Sequence, residues 1–270
     1  MTIIATDNWL RDDKVSPSTI LKQIITSFPN IDINEVYHYL VLHGMHPFNN
    51  IEEIRDITNH LLEENIWETL KAEFHDLVND WNGPSHPIYI LPADTNALSL
   101  QENFQGKSGI AFSDKLFLFL SDRSTILDAR IILTHEYNHV CRMQYQSKPH
   151  DDYTLLDSII MEGIAEYAVM ERFGKSHTAF WTKAYTIEQL KDYYKRWILP
   201  NFTLRRSDEK HLQILYGHSP LPRMVGYAVG YYLVEKYCHD KNYNSQQLLM
   251  KASQAFLPDK EDLVPFTTEP

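Results

Sequence analysis

Apolar residues recur at three- and four-residue steps through the first third of the chain: Ile20, Ile24 and Ile25, then Val36, Leu40 and Val41, then Ile51, Ile54, Ile57, Leu61 and Leu62. That spacing builds one apolar face on an α-helix, so Pro17 to Trp81 is predicted to fold as successive amphipathic helices interrupted at Gly44 and Pro47. Nine acids between Glu52 and Asp80, set against Arg55 and Lys71, are read as the wet face of those helices. After Asn82-Gly83-Pro84 the period changes. His86–Leu91, Ser108–Phe112 and Lys115–Leu120 are short runs rich in aromatic and branched residues, and they predict a small sheet. Helical spacing returns near Ser124 and continues to Cys238, with breaks near Pro149, Gly174, Pro200 and the loop from Gly217 to Pro220. The pattern predicts an α+β, mostly helical chain. It divides into a helical amino-terminal region over residues 1–84, a second region with the small sheet over 85–256, and a loose acidic tail over 257–270.

Composition excludes more than it assigns. A chain of 270 residues with 43% apolar residues is long enough for a sizeable core without covalent staples. The longest aliphatic or aromatic run, Leu116 to Leu120, is far too short to cross a bilayer. A net charge of −11 repels phosphate backbones, so nucleic acid is not an expected partner. The segment from Lys183 to Lys210 does interleave bases with Tyr185, Tyr193, Tyr194 and Trp197, and amphipathic helices account for the same residues. The start, MTIIATDNWLRDD, has neither the basic opening nor the apolar stretch of a secretory signal, which predicts a cytoplasmic protein. Cys141 and Cys238 lie far apart inside helical patterns and are expected to be reduced core thiols.

One constellation carries chemistry. Thr134-His135-Glu136-Tyr137-Asn138-His139 contains His-Glu-x-x-His within a predicted helix over Ser124–Gln146, whose start is marked by Thr125 and Asp128 as a capping box. Residues four apart share a helix face, so both imidazoles reach one zinc ion, while Glu136, one step round, reaches a water on that ion rather than the ion itself. A second predicted helix, Thr154–Phe173, carries Glu162 and Glu166 one turn apart. Glu162 would complete a His₂Glu set with the fourth position left to water, and Glu166 would accept a hydrogen bond from a ligand imidazole. Gly163, costly inside a helix, is expected to let these two helices approach closely. His38, His43 and His46 are the other clustered histidines and are weighed as a second metal site.

These residues resemble the gluzincin clan of zinc metallopeptidases, in which His-Glu-x-x-His is followed by a glutamate ligand on the next helix. More narrowly, THEYNHVCR, MEGIAEYAV and the later Gly226–Tyr231 segment resemble a bacterial family of predicted zinc-dependent proteases still classed as a domain of unknown function. The resemblance runs from about Pro84 to Tyr237 and implies a zincin-like domain over 85–256, one Zn²⁺ per chain, and a peptide or protein substrate. It implies that the strand before the metal helix lines the cleft and pairs with an extended peptide; Gly109, Ile110, Ala111 and Phe112 are the candidates, with Lys115–Leu120 as the competing strand. For the oxyanion donor that such hydrolysis needs, the sequence offers Tyr227 and His218, with Tyr216 and Arg223 nearby. The resulting expectation is hydrolysis of peptide bonds by a zinc-bound water activated by Glu136. Two alternatives stay open: a non-catalytic zinc-stabilised binding protein, and a zinc hydrolase acting on a non-peptide amide or ester.

Overall fold

The computed structural model describes residues 3–12, 14–95 and 108–258. It is α+β and mostly helical. Five helices precede the sheet among the described residues: α1 (Thr6–Leu10), α2 (Pro17–Ile24), α3 (Ile33–Leu42), α4 (Ile51–Glu63) and α5 (Ile66–Trp81). Strands β1 (Ile88–Pro92), β2 (Ser108–Ala111) and β3 (Leu116–Leu120) follow, then helices α6 (Ile126–Gln146), α7 (Leu155–Phe173), α8 (Ile187–Tyr193), α9 (Glu209–Tyr216), α10 (Val225–Lys241) and α11 (Ser245–Leu249). Contacts group the chain into two compact units, Met1–Gln144 and Tyr145–Pro270. The tail expected over 257–270 lies outside the described residues from 259 onward.

Local chemistry explains where the helices of the first unit begin. Ser16 and Thr19 form a reciprocal capping box with Pro17 at the first helical position of α2, Asp32 caps α3, and Asn50 caps α4. Of the apolar steps read from the sequence, Ile20, Ile24, Val36, Leu40, Ile54, Ile57 and Leu61 are in the core, Ile25, Val41 and Leu62 are half-buried, and Ile51, the first residue of α4, is exposed. One acid departs from the expected wet face. Glu73 is buried on α5, where its Oε2 accepts from Arg130 Nε on α6 at 2.6 Å. The same two helices meet through aromatic rings, Phe74 edge-on to Tyr137 at 5.0 Å and Trp81 stacked on it at 5.8 Å. Gly83 follows α5 at a point where an added Cβ would strike the Tyr137 ring and Cys141 Sγ. The helix carrying the His-Glu-x-x-His pattern is thus wedged on its inner side before any metal is considered.

The sheet has the order β1-β3-β2, with β1 parallel and β2 antiparallel to β3. Every residue of β3 is buried, which suits a central strand whose Leu and Phe side chains fill both faces. Of the two strands weighed for lining the cleft, β3 is therefore interior, and β2 lies at the sheet edge among the described residues.

In the second unit α7 and α10 cross at their backbones. A Cβ on Gly163 would meet the Gly230 carbonyl and lie 2.9 Å from the Tyr231 nitrogen, and one on Gly230 would meet the Ile159 carbonyl. The close approach expected at Gly163 is present, but its partner is α10 and not the metal helix, because the facing glycine is the later one at residue 230. Thr154 and Asp157 form the capping box that starts α7, and Asp157 also receives Lys148 Nζ at 2.5 Å and Ser253 Oγ at 2.7 Å. Tyr194 is buried in this core, with half-buried Trp197, Tyr193 and Tyr185 packed against it, so the aromatic residues among the bases of 183–210 belong to this core or line it. Cys141 and Cys238 are free and buried, and burial pushes their thiols up to about 12 and about 11.

Candidate metal centre

Helix α6 starts as its sequence requires: the Thr125 N–H donates to Asp128 Oδ2 at 3.0 Å and the Asp128 N–H returns a bond to Thr125 Oγ1 at 3.1 Å. That start sets the register of everything downstream. His135 and His139 are one turn apart, with ring centroids 4.8 Å apart and edge-on. One ligand atom each from His135, His139 and Glu162 lie within 4.8 Å of one another. Two imidazole nitrogens and one carboxylate oxygen are a donor set that suits zinc, and three protein ligands leave a fourth coordination position for a reactant. Among the described residues no other group of three such side chains converges. Of His38, His43 and His46, two are engaged locally: His43 Nδ1 lies 2.7 Å from the Tyr39 carbonyl, while buried His46 accepts the Phe48 N–H at 2.8 Å and faces Glu53 at 3.4 Å; the His38 ring lies 5.5 Å from that of Tyr37.

Glu136 stands beside β2. A Cβ built on Gly109 would come within 2.5 Å of Glu136 Cγ, 2.9 Å of Cδ and 3.1 Å of Oε1, so the strand backbone lies against the length of that side chain. The ladder fixes which strand groups face outward. The Phe112 N–H donates to the Lys115 carbonyl at 2.9 Å, and in the register Ser108↔Phe119, Ile110↔Phe117 the bonding residues alternate. Ser108 and Ile110 therefore turn their backbone groups toward β3, and Gly109 and Ala111 turn theirs away from it.

Glu166 is buried, and its Oε1 accepts from the Ala179 N–H at 2.5 Å. Burial above all, then the charges of Glu235 and Glu166, pushes the neighbouring Tyr231 phenol up. Tyr227 and His218 flank one ring: His218, exposed, stacks on Tyr216 at 6.2 Å, and Tyr227, buried, lies 5.7 Å from it and edge-on to Trp181 at 5.3 Å. Arg223 sits over the Phe180 ring at 4.8 Å.

Sequence reading passed over a second polar row on α6. Thr134, Asn138 and Arg142, at steps of four, are all buried, and Thr134 Oγ1 and both polar side-chain atoms of Asn138 have no hydrogen-bond partner among the described residues. Buried amides are almost always satisfied, which marks this row as unusual. The signal was present as a polar i, i+4, i+8 row lying directly beside the row of His135 and His139.

A family model described as "Predicted Zn-dependent protease (DUF2268)" matches residues 66–257. An uncharacterized protein of Bacillus subtilis (strain 168), YjaZ, is 39% identical over 260 residues, spanning 95% of this chain and 98% of that protein. A second uncharacterized protein of the same strain, YjfC, is 26% identical over 162 residues, spanning 56% of this chain and 52% of that protein. No solved structure matches the chain.

Proposed function

Because the chain belongs to the family of predicted Zn-dependent proteases, we propose that it is a metallopeptidase of gluzincin type, holding one zinc ion through His135, His139 and Glu162 and using Glu136 as its base. The observation that carries the reading is the convergence of those three ligand atoms within 4.8 Å, with Glu136 adjoining the first histidine on the same helix. Zinc bound there supplies a Lewis acid that polarises the peptide carbonyl and makes water a usable nucleophile at neutral pH. The protein does the rest. The outward N–H and C=O groups of Gly109 and Ala111 pair with an extended peptide, so the substrate is held by its backbone and presented beside Glu136. Glu136 takes the proton from the attacking water and delivers it to the departing amine, which makes one carboxylate base and then acid. Tyr227 or His218 donates to the developing oxyanion, and Glu166 keeps the ligand shell oriented.

The test separates binding from turnover. Glu136→Gln keeps the size of the side chain and removes the base. The variant is expected to retain about one zinc per chain by elemental analysis while hydrolysis of an internally quenched peptide pool falls by about 10²–10⁴-fold. Wild-type turnover in a variant with verified zinc would overturn the assignment of Glu136, and loss of the zinc would move Glu136 into the ligand set.

A further inference from the structure

Position 109 has no room for a side chain, and the reason is not backbone conformation. Gly109 does not occupy the left-handed region that favours glycine; among the described residues the glycines that do are Gly44, Gly174 and Gly217. What excludes a side chain is Glu136, whose Cγ and Cδ would lie 2.5 and 2.9 Å from an added Cβ. The strand cannot simply retreat. On its opposite face Ser108 Oγ donates to the His43 carbonyl at 2.5 Å, Ile110 is buried opposite Phe117, and the Phe112 ring packs on Phe28 at 5.3 Å. With β2 anchored on that face, the glycine surface is a fixed wall against which the Glu136 side chain rests.

We propose that Gly109 is a positioning residue for Glu136: the bare backbone at this position confines the side chain of the base to the rotamer used for proton transfer. This role rests on the proposed hydrolysis and differs from peptide pairing, which any residue at 109 could provide through its backbone. A displaced base is costly, since a misplacement of about 1 Å can lower turnover about 10²-fold.

The test is a cycle of Gly109→Ala with Glu136→Gln, read with the internally quenched peptide pool on protein of verified zinc content. Gly109→Ala alone is expected to lower kcat about 10–100-fold with KM nearly unchanged. In the Glu136→Gln background, where no base remains to be displaced, the same alanine is expected to change the residual rate less than about twofold. Equal losses in both backgrounds, or a raised KM at constant kcat, would overturn the proposal and assign Gly109 to the strand or to substrate pairing. Crystal structures give a readout independent of activity. A rotated Glu136 with β2–β3 pairing intact supports the role, and an unmoved Glu136 with a displaced strand overturns it, even if the wild type cleaves no peptide and the hydrolase reading itself fails. Should Gly109→Ala not fold, Glu136→Ala in the same chain is expected to restore folding; a double variant that stays unfolded also overturns the proposal.

Discussion

Single residues in this protein do work that their chemical type does not announce. Glu166 was expected to stand behind a ligand imidazole, and its observed acceptor contact ties α7 to the Ala179 N–H. These roles separate in Glu166→Ala. Loss of the contact to a buried carboxylate is expected to cost about 1.5–3 kcal/mol in unfolding measured with chelator present, while a role behind the metal adds about a 10–100-fold loss of zinc affinity in chelator competition. A loss of stability with unchanged zinc affinity would confine Glu166 to packing. His211 is fully buried, with Nε2 3.1 Å from Ser158 Oγ and Nδ1 3.3 Å from the Leu204 carbonyl. Burial, only partly offset by that carbonyl, holds its pKa below the ordinary 6.5. Above about pH 6.5 the ring is neutral folded or unfolded; below it the unfolded chain binds the proton first, so stability falls as the pH drops. Unfolding at pH 5.5 and 7.5 in chelator is expected to show this drop in the wild type and a smaller one in His211→Gln. Equal drops would remove His211 from the acid sensitivity.

At the scale of elements, the crossing of α7 with α10 is set by two glycines placed against backbone rather than against side chains. Alanine at residue 163 gains about 1 kcal/mol of helix preference. It meets a carbonyl that no rotamer change can move, and overpacking of that kind costs about 1–3 kcal/mol or more. Gly163→Ala is therefore expected to be a net loss in urea unfolding, with the midpoint lowered and the slope unchanged. A rise in the midpoint would show that the helices separate without cost. Helix starts were legible in the chain because capping is local: Thr125 with Asp128 and Thr154 with Asp157 bond within one turn. The strands were legible too, each to within about two residues, since period and branching are local properties. Which strand lies at the edge was not, because strand order depends on partners distant in the chain.

For the whole molecule, a metal bound only by the folded chain must raise its stability. Zinc at about one hundred times its dissociation constant is expected to add about 2.7 kcal/mol, seen as a higher melting temperature that chelator reverses. His139→Ala is expected to abolish that shift, and an undiminished shift in the variant would remove His139 from the ligand set. Sequence alone determined the three strands, the helical stretches from Pro17 to Trp81 and from Ser124 to Cys238, the two reduced thiols and the alignment of His135 with His139, because each follows from steps of two to four residues or from residue type; the short helices α1 and α11 lie outside the stretches it marked. Tertiary structure alone decided that Glu73 is buried against Arg130, that Gly163 meets Gly230, that β2 lies outside β3, and that Gly109 abuts Glu136. Three of those facts join residues 27 to 67 positions apart, and the fourth is the order of whole strands. Such pairings are chosen by how the complete chain fills space, a quantity that no local window of residues contains.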